Sequence, residues 1–293
     1  MSQFVSRLDA AQNICDNLGR NLTPDPTNMG RLDKAMGGGL YPRKLYGIQA
    51  RMKVGKTIFL GSISYNLNEM DIPHLWIACE MSSTELEQRH LARSLGINGL
   101  LFLKHNNNED LQQNIIRYMG NGFKTNITYL DAPCIRVDDM LDAIDSAVET
   151  YGIRGFILDY LQLVYGMSSD NRTEHIEYVA QQLAGKVRQH GIWGIVAAQL
   201  NQEGNTRNGE GLKLACDQLY TIHRQQNSYY GWLEMNLSRY TPTGDVGSES
   251  APSYELNENG PHFNPLGVAQ HQPASHLSVV RDPEKKIIRD LRI

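Results

Sequence analysis

Residues 44–57 read KLYGIQARMKVGKT, and this stretch constrains the chain more than any other. LYGIQA is a short apolar run that predicts a buried strand. It empties into Arg51-Met52-Lys53-Val54-Gly55-Lys56-Thr57, and an apolar helical pattern, IFLGSISYNL, follows. Strand, loop and helix in that order are the context that a phosphate-binding P-loop needs. Backbone N–H groups at the loop and the helix N-terminus would point at the phosphates, and the helix dipole favours their charge. Lys56 would reach the β- and γ-phosphates, and the Thr57 hydroxyl would ligate Mg²⁺. The strict pattern wants Gly at its first position, where this chain has Ala50. A plainer reading of the same residues is a Gly-Lys-Thr helix start in an ordinary α/β domain.

Composition sets the bounds. With 41% hydrophobic and 20% charged residues in 293, the chain has the make-up of a globular protein with one large or two small domains. No run is long and apolar enough to span a membrane, and the N-terminus lacks the layout of a secretory leader. Cys15, Cys79, Cys134 and Cys216 are far apart and form no CxxC. They fit buried thiols in a reducing compartment better than a disulfide frame or a zinc site. A cytoplasmic protein is therefore expected. The net charge of −4 gives no global basic footprint, so any nucleic-acid contact must be local, on loops or in a pore.

The chain divides by pattern. Residues 3–18 carry Phe4, Val5, Leu8, Ala11, Ile14, Cys15 and Leu18 on one helical face, with Gly19 as a stop. The proline-broken linker around residues 21–26 follows, so residues 1–27 form an amphipathic helix and tether. That apolar stripe either folds back on its own domain or docks on a neighbouring subunit. From about 28 to 265, apolar runs alternate with helical patterns. Strands are expected at 44–50, 75–80, 126–131, 155–161, 193–200, 218–223 and 232–238, and helices at 56–68, 83–95, 109–119, 137–150 and 173–190. On the last helix, Ile176, Val179, Ala180, Leu183 and Val187 share a face. The alternation predicts an α/β fold with a mainly parallel sheet flanked by helices. The later strands follow one another without helices, which predicts an antiparallel extension. In the tail, 266–293, LSVVRDPEKKIIRDL reads as a short hairpin around an Asp-Pro-Glu-Lys turn.

Several polar residues stand at strand ends. Glu80, in WIACEMSS, closes the second strand, where an acid could polarise the water attacking a γ-phosphate. Read alone, a capping or solvated acid fits it better. Asp159 ends the apolar strand GFILD, and such an acid can hold Mg²⁺. Gln199 ends WGIVAAQ, where an amide can reach a γ-phosphate or simply start a turn. Two Gly-, Asn- and Ser-rich loops, 165–172 and 201–211, carry Arg172 and Arg207, and Lys213 follows the second. Their backbone amides and cations could track a phosphate chain, or the loops could be solvated connections. Arg239 precedes a Pro-Thr-Gly turn. It is either an arginine finger for a neighbour's γ-phosphate or a surface Arg on a hairpin.

In order and spacing, these segments resemble the RecA-like C-terminal domain of DnaB-type replicative helicases. The resemblance lies in LDKAMGGGLYPRKLYGIQARMKVGKT, CEMSSTELEQRHLA, GFILDYLQLV, AAQLNQ, LKLACDQLYTIHR and SRYTPTG, over roughly residues 20–260. Family P-loops often begin with Ala, so Ala50 fits. The resemblance implies a RecA-like P-loop fold and an ATP- and Mg²⁺-dependent motor. It would move 5′→3′ on single-stranded DNA as a homohexameric ring, with a primase or a loader as partner. Ala50, Arg51, Met52, Lys53, Val54, Gly55, Lys56, Thr57 and Ile58 would form the nucleotide cradle, and Arg89 matches the Arg that follows the EMS segment. Thr57 and Asp159 would hold the metal. Glu80 would be the catalytic base, Gln199 the γ-phosphate sensor, and Arg239 the group acting across the subunit boundary. Arg172, Arg207, Asn208, Glu210 and Lys213 would face DNA.

Three departures stand out. The family's N-terminal collar domain is missing from the sequence, with only a linker-helix equivalent at residues 3–18, which suits a phage or plasmid replication system in a bacterial cytoplasm. Leu237 stands where the family usually has a Lys two residues before the finger. The charged pattern of the DNA loop is eroded at Asn208 and Gly209. Two other readings therefore stay open: a RecA- or KaiC-like ATPase of recombination, and a nucleotide-gated loading or assembly module without unwinding.

Overall fold

Every residue of LYGIQA is buried, with no polar–apolar alternation. A strand of that kind must be covered on both faces, and the computed structural model shows how. It describes residues 5–18, 23–102, 108–166, 172–200, 209–225, 227–240, 246–257 and 260–267. Helices α1 (Arg7–Leu18) and α2 (Arg31–Met36) precede strand β1 (Leu45–Ala50). Next come α3 (Lys56–Glu69), β2 (His74–Ala78), α4 (Ser83–Leu95), α5 (Glu109–Gly120), β3 (Ile127–Asp131), β4 (Ile135–Arg136) and α6 (Val137–Tyr151). Then follow β5 (Gly155–Asp159), β6 (Val164–Tyr165), α7 (Arg172–His190), β7 (Trp193–Gln199) and α8 (Gly209–Ala215). Strands β8 (Gln218–Arg224), β9 (Tyr230–Ser238), β10 (Tyr254–Asn257) and β11 (His262–Pro265) complete the order.

Nine strands form one sheet in the order β11-β10-β9-β8-β1-β7-β5-β2-β3. The pairs from β8 to β3 are parallel, and β9, β10 and β11 extend the sheet antiparallel. The expected α/β architecture and its antiparallel extension are both present. One strand, β7, lies between the P-loop strand and the strand that ends in Asp159. The carboxyl ends of β1, β7 and β5 thus frame a single crevice, the usual ligand position of an open α/β sheet.

Helices α6, α7 and α8 cover one face, and α2, α3 and α4 the other. The predicted stripe on α7 (Ile176, Val179, Ala180, Leu183, Val187) is fully buried. Glycine at Gly155 is required by close approach, since a Cβ there would lie 2.0 Å from the Trp193 ring.

The structure corrects several sequence expectations. The loop predicted through Gly211 ends earlier, because α8 begins at Gly209. Leu212, Ala215 and Cys216 recur at helical spacing and are buried against the α7 face, and that packing outweighs the low helix propensity of the glycines. Strand β5 stops at Asp159, and Leu161–Leu163 turn as a 3₁₀ helix. Two of the four thiols expected to be buried, Cys15 and Cys134, are exposed. Val5, Leu8 and Ile14 of the N-terminal segment are also exposed, so this stripe does not fold back on its own domain. The hairpin expected at 277–291 lies outside the described residues.

Candidate nucleotide site

The site grows from the end of β1. After Ala50 the chain turns through Lys53 and Gly55, both left-handed at φ 63° and φ 108°. Successive turns of this hand aim backbone N–H groups into one concavity. Gly55 is fixed twice: its φ suits glycine, and a Cβ would meet the Phe263 ring at 3.1 Å. Helix α3 starts at once. No side chain caps it and no acid stands in its first turn, so its N-terminal N–H groups are left for an anion. Helix α4 differs, because Ser82 and Glu85 close a full capping box there.

Lys56 and Asp159 meet across the crevice. Their Nζ and Oδ1 atoms are 3.0 Å apart, and both side chains are largely buried. Lys56 Nζ also sits 3.9 Å from the centre of the Tyr160 ring. Yet neither Lys56 Nζ nor Asp159 Oδ1 makes a hydrogen bond to a described residue. The pair is close in distance and wrong in direction for a hydrogen bond. Buried charges left in this state cost several kcal/mol in general, and phosphate oxygens and a divalent cation have the chemistry to satisfy them. The hydroxyl of Thr57, half-buried in the first turn of α3, likewise has no hydrogen-bond partner among the described residues.

The other predicted residues gather unevenly. Glu80 lies exposed just past β2, and the neighbouring Cys79 N–H donates to the Asp159 carbonyl at 3.1 Å. Burial pulls the Arg89 guanidinium below its ordinary pKa, while Asp159, Glu85 and Glu80 oppose the shift. Arg89 therefore shares the electrostatic field of the crevice. Gln199 pairs in register with Ala50, which brings the end of β7 beside the start of the P-loop. Arg51, Met52 and Lys53 are exposed, and Val54 and Ile58 are half-buried. Arg172 opens α7 and Glu210 and Lys213 lie in α8, whereas Arg207 and Asn208 fall outside the described residues.

Arg239 is at the other end of the sheet. Its N–H donates to the Asp217 carbonyl at 3.0 Å, beside the entry of β8, and its guanidinium donates to the Leu214 carbonyl at 2.6 Å. Strand β1 runs from this end to the P-loop, about 20 Å at ~3.3 Å per residue. Arg239 cannot serve the nucleotide site of its own chain.

Two contributors lie in the family-like segments, Arg224 at the family's spacing from Asp217, but the sequence assigns neither a role. Arg224, at the end of β8, donates from Nε to the Val54 carbonyl (2.9 Å), from Nη2 to the Lys53 carbonyl (3.4 Å) and from Nη1 to the Ser228 carbonyl (2.7 Å). It clamps the P-loop from behind. Gln162 brackets the Gln199 backbone, donating to its carbonyl at 3.1 Å and accepting from its N–H at 3.2 Å.

This geometry defines a RecA-like P-loop fold, with the acid-bearing strand one strand removed from the P-loop strand. Residues 26–214 match the DnaB-like helicase C-terminal domain, and the chain belongs to that family. It is 28% identical over 185 residues to the replicative DNA helicase DnaC of Bacillus subtilis (strain 168), covering 62% of this chain and 40% of that one. It is 27% identical over 189 residues to the replicative DNA helicase DnaB of Geobacillus stearothermophilus, covering 64% and 41%. The chain thus spans about two fifths of these relatives' length. Among solved structures, an ATPase domain determined on its own superposes with a TM-score of 0.74 at 20% identity, over 90% of this chain and all of that one. A DnaB-like replicative helicase, described with its primase interactions, superposes at 0.71 and 19% identity, over 89% and 67%.

Proposed function

We propose that the chain is the ATP-dependent motor of a replicative DNA helicase, working as a homohexameric ring. The observation that carries this reading is the buried Lys56–Asp159 pair at the uncapped head of α3, whose Nζ and Oδ1 atoms make no hydrogen bond to a described residue. Lys56 binds the outer phosphates, and Thr57 and Asp159 hold Mg²⁺, with the remaining cradle residues from Ala50 to Ile58 around them. The bound metal supplies charge neutralisation on the phosphate oxygens. Glu80 takes the proton of the attacking water, Arg89 balances the acids around it, and Gln199 reports the state of the γ-phosphate. Arg239 stands at the far end of the sheet from its own site and serves the site of the next protomer, a head-to-tail contact of the kind that a ring repeats.

Residues 201–213 and the segment before α7 face single-stranded DNA in the pore, through Arg172, Arg207, Asn208, Glu210 and Lys213. Segment 1–27, with the exposed stripe of α1, docks on a neighbouring subunit. Translocation runs 5′→3′, with strand separation by exclusion, in a bacterial cytoplasm, and a primase or loader acts as partner. Among the described residues no helix is long and apolar enough to cross a membrane. The test is unwinding of a forked duplex with a 5′ single-stranded tail. ATP-dependent unwinding is expected. DNA-stimulated ATP turnover without unwinding would instead favour a recombination-type ATPase, and no turnover at all would favour a loading module.

A further inference from the structure

At the end of the sheet opposite the P-loop, one buried aspartate ties three chain segments together through its carboxylate and its carbonyl. Asp217 accepts the Leu45 N–H at 2.9 Å through Oδ2, and its carbonyl accepts the Arg239 N–H at 3.0 Å. Lys44 Nζ lies 3.6 Å from Asp217 Oδ1 and 3.5 Å from the centre of the Tyr240 ring. Lys44 and Arg239 thus leave the same node, and the aromatic ring that follows Arg239 holds the Lys44 ammonium beside it. Tyr240 is 63% exposed and the Lys44 side chain 28%. This ammonium makes no hydrogen bond to a described residue, so its three donors remain free for an incoming anion. Strand β9 offers no other cation here, because Leu237 packs into the apolar core under α6, α7 and α8.

We propose that Lys44 is a second cation, presented together with Arg239 to the triphosphate held by the next protomer. The inference rests on the across-boundary role of Arg239 proposed above. In phosphoryl transfer, charge spreads over the equatorial oxygens of the transferred group, and a mobile ammonium beside a guanidinium neutralises more of it than either alone. The Asp217 ion pair and the Tyr240 ring hold Lys44 at the interface until the phosphate competes for it.

The test compares Lys44→Ala and Lys44→Met, the latter keeping an unbranched stem of similar length beside Tyr240, with Lys44→Arg. Three quantities are read: DNA-stimulated ATP turnover, ring assembly induced by ADP–aluminium fluoride followed by mass photometry, and thermal midpoint. Both variants are expected to lose about tenfold or more in turnover, roughly the scale of one lost transition-state contact. They should need more ADP–aluminium fluoride to assemble, with an unchanged thermal midpoint, and Lys44→Arg, which keeps a cation at the same place, should retain most of both turnover and assembly. Unchanged turnover in Lys44→Met overturns the proposal. So does a loss that Lys44→Arg shares in full, and a lowered midpoint beside it would assign Lys44 to the Asp217 ion pair alone. Excess Arg239→Ala protein mixed into wild type is the control. If wild-type protomers keep full turnover there, the across-boundary reading itself fails, independently of how Lys44 behaves.

Discussion

At the scale of single residues, the nucleotide site is a problem of unsatisfied charge. Lys56 Nζ and Asp159 Oδ1 are held 3.0 Å apart with little exposure, and neither atom makes a hydrogen bond to a described residue. Lys56→Ala is expected to abolish nucleotide binding and turnover. Glu80→Ala should retain fluorescent-nucleotide binding while DNA-stimulated turnover falls by at least about 10²-fold, at the low end of what one general base contributes. Wild-type turnover in either variant would reject the assignment. Glu80 and Asp159 stand out in the sequence because each closes an apolar run, and Lys56 because it ends a P-loop pattern. His74 carries a different cost. It is fully buried between the Ser64 hydroxyl (2.7 Å) and the Ile72 carbonyl (2.9 Å), and burial pushes its pKa down to about 4. The unfolded chain binds that proton near pH 6.5 and the folded chain does not. Stability is therefore full above pH 6.5 and drains away as pH falls toward 4, by about 3 kcal/mol from this residue. Thermal midpoints from pH 7 to 4.5 should show the loss, and His74→Gln should flatten it.

At the scale of elements, the site depends on strands that only the folded sheet brings together. Arg224 reaches back from β8 to three backbone carbonyls, two of them in the P-loop. Arg224→Ala leaves those carbonyls short of a donor. It should weaken nucleotide binding about tenfold and cost roughly 2 kcal/mol of stability, read by nucleotide titration and by chemical denaturation. An unaltered nucleotide affinity would show that the P-loop keeps its shape unaided. Nothing in the order of residues announces this clamp, because Val54 and Arg224 are far apart in sequence. Strands β10 and β11 were equally illegible. They are short, four residues each, and they add to the sheet only beyond the antiparallel strand β9. They matter nonetheless, since Phe263 of β11 packs on Gly55 and its N–H donates to Ser62 of α3 at 2.9 Å. Helix α8 was misread for the opposite reason: its glycines signal a loop locally, and burial of Leu212 and Ala215 overrules them. The long parallel core was plain from sequence, because apolar runs and helical stripes there satisfy local and global preferences together.

At the scale of the whole molecule, the two halves of the proposed chemistry sit at opposite ends of one sheet. The P-loop and Asp159 stand at the carboxyl ends of the parallel strands, while Arg239, Lys44 and Asp217 stand at the amino ends. In the proposed assembly, head-to-tail repetition brings the two halves together. The exposed stripe on α1 belongs to the same logic. Leu8→Asp should leave the thermal midpoint of the isolated protomer within about 1 °C, as surface substitutions do, yet shift assembly to higher protein concentration. Unchanged assembly by sedimentation would remove α1 from the interface. The most direct test of the account is turnover in mixtures of wild type with increasing excess of Arg239→Ala, at fixed wild-type concentration with single-stranded DNA. Turnover per wild-type protomer should fall steeply, because wild-type sites come to face neighbours without the guanidinium. Turnover per wild-type protomer that stays constant across the series would contradict it.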